Sequence, residues 1–196
     1  MALEHAILGF LSAGPMTGYD LKTRCFDETV GHFWTADQAQ VYRTLEKLDQ
    51  CRLTRSKIVP QRGRPDRKLY TITAKGRETL ADWLRQPADI APSRDPFLLH
   101  LFFASALPDT AVLELLGHAR EGHQRRLEHL RADVARDIDD WTAATGRRRD
   151  GEIRRLTLGA GLAVTRGTID WLDDCIEAVR GGLPPAQDGG DQICSS

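Results

Sequence analysis

The chain has 196 residues, 41% of them apolar and 28% charged, with a mean hydropathy of −0.40. That length suits one or two domains with a real core, and the composition is that of an ordinary soluble globular protein. No run approaches the roughly 18 uninterrupted apolar residues of a membrane span, and Met1-Ala2-Leu3-Glu4-His5 lacks the basic start and apolar run of a signal peptide. Cys25, Cys51, Cys175 and Cys194 show no paired spacing, so reduced cysteines in a cytoplasmic protein are expected. The net charge of −1 hides a split: residues 1–85 carry a net +4 and residues 86–196 a net −5. The N-terminal half is therefore the part suited to a polyanion.

In chain order, Leu3 to Ser12 reads as a short helix with Leu3, Ala6, Ile7, Phe10 and Leu11 as its apolar stripe, stopped by Gly14-Pro15. Thr17 caps a second helix, Gly18 to about Glu28, with Tyr19 and Leu21 inward and Phe26 a further core candidate. The N-terminus of that helix is placed to touch a phosphate. Val30 to Trp34 is a loop, with Phe33 and Trp34 expected as core plugs. A third helix follows from Thr35, which the spacing predicts as N-cap with Gln38 completing a capping box. Val41, Leu45 and Leu48 share one face; Gln40, Arg43 and Lys47 share roughly the opposite one. Two strands, Leu53–Val59 and Lys68–Thr73, flank a loop rich in Pro, Gly and Arg. A helix from Ala74 to Gln86 closes this part, with Leu80, Trp83 and Leu84 on one side.

From Arg52 to Lys68 there are seven basic residues and one acid. A polar helix face followed by a basic hairpin suits a DNA reader: the helix meets base edges in the major groove, and the hairpin meets phosphates. Charge alone would favour a solvated basic hairpin on an ordinary domain; the helix, turn and hairpin order at this spacing moves the reading toward DNA. Gln40 and Arg43 are the base-reading candidates, because Gln pairs with adenine and Arg with guanine. Lys47 is placed for phosphate. Arg62, Arg64 and Arg67 are the wing cations, with Gly63 giving the tip its turn. Tyr70 reads as structural.

Residues 87–96 hold three prolines and mark the domain boundary. Phe97 to Ser105 is apolar nearly all round, which predicts a short helix buried on several sides. A long helix runs from Pro108-Asp109 to about Ala144, and Leu127, Leu130, Val134, Ile138 and Trp141 form a narrow seam meant for another helix. Thr145 to Gly151 is a turn. The last helix, Glu152 to about Arg180, carries Leu158, Leu162, Ile169, Leu172, Ile176 and Val179. The expected fold is thus mainly α with a small β-hairpin wing. Residues 1–86 form a winged helix-turn-helix domain, residues 97–181 an antiparallel long-helix hairpin, and residues 182–196 a disordered tail. Two helices with one stripe each cannot hide all their apolar surface, so a homodimer through the C-terminal helices is expected. The alternative is a monomer whose helices fold back on its own N-terminal half.

No enzyme is expected. Nucleophile elbow, P-loop, dinucleotide fingerprint and zinc-finger spacing are all missing from the sequence. The six histidines do not suggest a metal site: His118 and His123, for example, are five apart and out of helical phase. No cofactor is implied.

Three stretches resemble the PadR family of bacterial transcriptional regulators. Val41-Tyr42 to Leu48 is similar to its Ile/Val-Tyr-x-x-Leu-x-x-Leu recognition helix. Lys68-Leu69-Tyr70-Thr71-Ile72-Thr73-Ala74-Lys75-Gly76 is similar to the end of its wing. Leu3 to Arg24, with Gly18 to Leu21, is similar to its first two helices. The chain departs from the family in starting the recognition helix Thr35-Ala36-Asp37, and in carrying Cys51-Arg52 where Glu-Gly is common. The resemblance implies a winged-helix homodimer that binds an operator, usually represses, and uses Tyr42 against DNA. It also implies a small aromatic effector near the dimer interface, for which Trp141 and Trp171 are the candidates because aromatic faces stack on flat ligands. A winged helix that binds protein rather than specific DNA is the alternative function.

Overall fold

The structure is a computed structural model that describes residues 2–31, 33–60, 66–88 and 94–184. It divides into two compact units, Met1–Ala91 and Pro92–Ser196.

In the first unit, α1 (Ala2–Ala13) buries Ile7, Leu8 and Leu11. A two-residue strand β1 (Met16–Thr17) leads into α2 (Gly18–Asp20), which continues in wider π geometry over Leu21–Thr29. Thr17 is its N-cap. The Thr17 hydroxyl accepts from the Asp20 amide at 3.0 Å, and Asp20 Oδ2 accepts from the Thr17 amide at 3.2 Å. These Thr17 hydrogen bonds, with the charges of Arg67 and Arg24, hold the Asp20 carboxyl below the usual carboxylate range against the opposing effect of burial. The linkage sign follows: Asp20 stabilises the fold above the normal carboxylate pKa, and that stability is lost as pH falls through its depressed one.

Leu21, Cys25 and Phe26 face inward, with Phe26 edge-on to Phe10. Tyr19 does not; it is 62% exposed. Two residues apart on a helix, Tyr19 and Leu21 point to opposite sides, and Leu21 takes the core. Phe33 and Trp34 are also exposed rather than plugs, and the small Ala36 is buried where the chain turns into the next helix.

Helix α3 (Gln38–Gln50) is followed by β2 (Thr54–Val59), β3 (Arg67–Ile72) and α4 (Ala74–Arg85). The wing is three-stranded: β3 lies between β1 and β2, all antiparallel. β2 pairs with β3 from Thr54↔Ile72 out to Val59↔Arg67. The wing tip, residues 61–65, lies outside the described residues. Tyr70 and Ile72 complete a core with Val41, Leu45 and Leu48. On α4, Leu80 packs on that core and Trp83 stacks on His5, whereas Leu84 is exposed.

The second unit begins with α5 (Pro96–Phe102), capped by Asp95, whose Oδ1 accepts from the Phe97 amide at 2.9 Å. A 3-10 turn follows at Ala104–Ala106. Helix α6 (Asp109–His129) passes through a π turn at Leu130–Val134 into α7 (Ala135–Thr145). Gly146, at φ 68°, reverses the chain in two residues, and α8 (Arg148–Arg180) runs back. Leu130, Val134, Ile138 and Leu158 pack near the hairpin tip; Ala104, Val112, Leu116, Leu172 and Val179 pack at the other end. An Arg120–Asp173 ion pair spans α6 and α8.

Of the seam expected on the long helix, Leu130, Val134 and Ile138 are buried with Leu158 of α8, while Leu127 and Trp141 at its ends are half-buried. The burial expected for 97–105 is not found: within the described chain Leu98, Leu99, Phe102 and Phe103 are exposed, Phe102 by 77%. A seven-residue helix with an apolar surface all round has more area than the ends of α6 and α8 cover.

Two substitutions test the packing at the base of the wing. A Cβ on Gly76 would stand 2.1 Å from the Leu53 carbonyl oxygen, which accepts from the Thr73 amide at 3.0 Å. Gly76→Ala should lower the unfolding free energy by about 1–3 kcal/mol in urea titration. Arg52, by contrast, sits at φ 58° in the left-handed region. Arg52→Gly should leave stability unchanged or raise it by up to about 1 kcal/mol in the same titration.

Candidate DNA-binding surface

The orientation of α3 is set by its buried face. Val41, Leu45 and Leu48 are at most 1% exposed. Its N-cap is Asp37, two residues later than the spacing predicts: Asp37 Oδ1 accepts from the Gln40 amide at 2.7 Å, and Gln40 Oε1 accepts from the Asp37 amide at 3.3 Å. Asp is the stronger cap, and it also answers the partial positive charge of the helix N-terminus. The Asp37 carboxylate is therefore occupied in starting the helix.

With the core face fixed, Gln40, Tyr42, Arg43 and Lys47 are all exposed. At 3.6 residues per turn Arg43 lies near the centre of the outward face, Gln40 and Lys47 on one flank, and Tyr42 on the other. The same count places exposed Ala39, Glu46 and Gln50 at the centre beside Arg43. The sequence reading missed these three; counting positions opposite Val41, Leu45 and Leu48 would have found them. Glu46 is the residue type that accepts from cytosine N4.

Tyr42 packs across the first residue of α2. A Cβ on Gly18 would meet its ring at 2.7 Å, so only glycine allows this approach. The ring thus lies beside the N-terminus of α2.

Lys47 Nζ donates to Glu4 Oε1 of α1 at 2.6 Å, and that hydrogen bond raises the Lys47 pKa above its ordinary value. Asp49, at the end of α3, ties the helix to the wing: it accepts from Ser56 Oγ on β2 at 2.8 Å and lies 4.0 Å from Lys68 on β3. Arg55, Lys57, Arg67 and Lys68 are exposed along the strands. Arg67 lies close enough to Asp20 to depress its pKa. The other wing cations of the sequence reading, Arg62 and Arg64, lie with Gly63 outside the described residues.

The two tryptophans of the C-terminal unit occupy separate places. Trp141, on α7, has the Arg154 guanidinium 3.6 Å from its ring centroid and that of Arg147 at 5.7 Å. Trp171, on α8, is 37% exposed and meets Phe97 edge-on. Arg154 and Trp171 are separated on α8 by about 25 Å at 1.5 Å per residue. Among the described residues no helix is long and apolar enough to cross a membrane, and no cluster of three His, Cys, Asp or Glu could hold a metal.

Residues 7–82 match the model of the Transcriptional regulator PadR-like family, and residues 93–180 match that of the Virulence activator alpha C-term. A probable transcriptional regulator of Mycobacterium tuberculosis is 34% identical over 195 residues, covering 92% of this chain and 98% of its own. The negative transcriptional regulator PadR of Bacillus subtilis is 33% identical over 129 residues, 65% of this chain and 70% of its own. The crystal structure of that PadR in complex with operator DNA superposes with a TM-score of 0.78 at 26% identity, covering 91% of this chain and 99% of the other. Its complex with p-coumaric acid superposes at 0.71 and 25% identity, covering 92% and 99%. With a recognition helix aimed by its core face, a basic wing beside it and kinship along nearly the whole chain, this protein belongs to the PadR-like family and is a DNA-binding transcriptional regulator, not an enzyme.

Proposed function

We propose that the protein is a sequence-specific repressor that binds its operator as a homodimer in the cytoplasm and is released by a flat aromatic effector. The observation that carries the DNA reading is the outward stripe of α3, where Arg43 stands near the centre with Gln40 and Lys47 on one flank and Tyr42 on the other. In this reading Arg43 and Gln40 read bases, Tyr42 and Lys47 meet phosphates, and Arg62, Arg64 and Arg67 follow the backbone from the wing. The repressing sense is supported by the likeness to the negative regulator PadR of Bacillus subtilis.

The dimer is supported by a second stripe on α8, facing away from α6 and α7. Ile153, Leu156, Ala160, Ala163, Gly167 and Trp171 recur at spacings of three and four and are all exposed. Leu156 and the neighbouring Val164 are 71% and 70% exposed. A 3-4 repeat of apolar and small residues suits another helix at close range, and the exposed apolar residues of α5 add to the area left uncovered. A second copy provides two recognition helices for two half-sites, as operator-scale specificity requires.

For the effector, Trp171 is the better-placed tryptophan, since it lies on that stripe with an open face, whereas cations cover Trp141. The p-coumaric acid complex of Bacillus subtilis PadR supports a ligand of this class. A ligand at the seam would act by favouring one separation of the two recognition helices over another.

Mobility shift on DNA from the protein's own upstream region, at two salt concentrations, tests the central reading. Salt-sensitive, sequence-preferring binding is expected. Arg43→Ala should cost about 1–3 kcal/mol on the operator and relax preference at one or two positions per half-site. Gln40→Ala should do likewise and also loosen the helix start, because Gln40 is part of the cap. Arg64→Ala or Arg67→Ala should weaken binding to all sequences alike and flatten the salt slope. Intact preference in both helix variants would mean that the reading face is misassigned.

Light scattering should give the mass of a dimer, and Leu156→Asp should give a monomer that binds operator at least tenfold more weakly. A monomeric parent protein would remove the dimer. Adding p-coumaric acid should release operator DNA, and Trp171→Ala should blunt that release. Release that is identical in the variant would remove Trp171 from the effector site.

A further inference from the structure

An open depression of about 690 Å³ runs from the start of α1 to the outward stripe of α3, and Glu4, Trp34, Gln40, Arg43 and Lys47 line it. The Glu4–Lys47 pair sits in it, joining residues 43 apart in sequence. The two partners are unequally exposed: the Glu4 side chain is 23% accessible and the Lys47 side chain 61%. The carboxylate is the more sheltered partner and the ammonium the more open one, which leaves the ammonium accessible to a DNA phosphate. An ammonium has three donors and holds an anion as a point charge without a fixed fork. It can therefore pass from one oxyanion to another with little rearrangement.

We propose that Glu4 is a stand-in for a DNA phosphate: it holds Lys47 in the DNA-free protein, is displaced when a backbone phosphate arrives, and so sets the strength and salt dependence of DNA binding. The inference rests on the DNA-binding reading of α3 and adds a residue outside the recognition helix and the wing. Exposed ion pairs are weak, so a phosphate can break this one. Once displaced, Glu4 is an unpaired anion beside a polyanion. It repels the DNA and attracts a cation from solution, which offsets one of the counterions that Lys47 releases from the phosphate. A brace that merely fastens α1 to α3 would change stability without changing ion release.

The test uses the full-length chain and its Glu4→Gln, Lys47→Gln and doubly substituted forms, titrated onto operator DNA and onto an unrelated duplex across a salt series. Glu4→Gln should bind both DNAs about two- to fivefold tighter per protomer. Its plot of log affinity against log salt should steepen by roughly 0.9 per protomer. In the Lys47→Gln background, removing the Glu4 charge should leave the slope unchanged. Thermal melting confirms that each form is folded. A folded Glu4→Gln protein with the parental slope, or with weaker binding, would overturn the proposal. A slope change that persists without Lys47 would also overturn it, by showing that Glu4 acts through general repulsion. If the unsubstituted chain shows no salt-sensitive DNA binding at all, the DNA reading itself fails, a result plainly distinct from the others.

Discussion

The burial of one face of α3 is the constraint on which the N-terminal unit depends. Val41, Leu45 and Leu48 are sealed against α1, α2 and the inner strand of the wing. Burying each contributes about 1.5–3 kcal/mol, while the ion pairs around the same helix are open to solvent, which screens them and leaves them weak. The core therefore decides which way the helix faces, and the charges adjust what that face does. Arg43 points outward because three other residues point inward, and the identity of the outward residues is left free for recognition.

Acids sit among the cations of this surface, each tied to a particular partner. Asp37 starts α3, Asp20 closes the capping box of the helix before it, Asp49 fastens α3 to β2 and β3, and Glu4 holds Lys47. Without Asp37 as a cap, and without Asp20 closing the capping box on Thr17, two helix N-termini would be left with unsatisfied amides close to the proposed DNA side. The surface is thus less positive than the count of its Lys and Arg suggests. Recognition by base contacts gains weight relative to indiscriminate attraction for phosphate.

Periodicity made much of this legible. The Thr17 cap, the Val41, Leu45 and Leu48 face, the two wing strands and the two long C-terminal helices follow from spacing, capping chemistry and turn residues. What was missed depends on competition between neighbours. Thr35 and Asp37 both satisfy a capping pattern, and only the buried Ala36 and the stronger cap decide between them. Tyr19 looks inward by hydrophobicity, but Leu21 holds the inner side. Phe97 to Ser105 looks like a buried helix because apolar residues do not reveal whether their cover comes from the same chain. The π turn over Leu130–Val134 was not legible because Leu130, Val134 and Ile138 recur every four residues, a spacing that an unbroken α-helix also allows.

The contact between Gly18 and the Tyr42 ring has a consequence for how such chains diverge. The hydrogen on Gly18 and the aromatic ring occupy a space that admits one of them growing only if the other shrinks. A side chain at position 18 would be tolerated after position 42 has lost its ring, and a ring at 42 only while 18 remains glycine. Substitutions at these two positions are therefore bound to an order. Across descendants a side chain at 18 would be found only where 42 already lacks its ring, although the two lie on different helices and 24 residues apart. The angle at which the helix-turn-helix presents its tyrosine is protected by that coupling more than by the tyrosine alone.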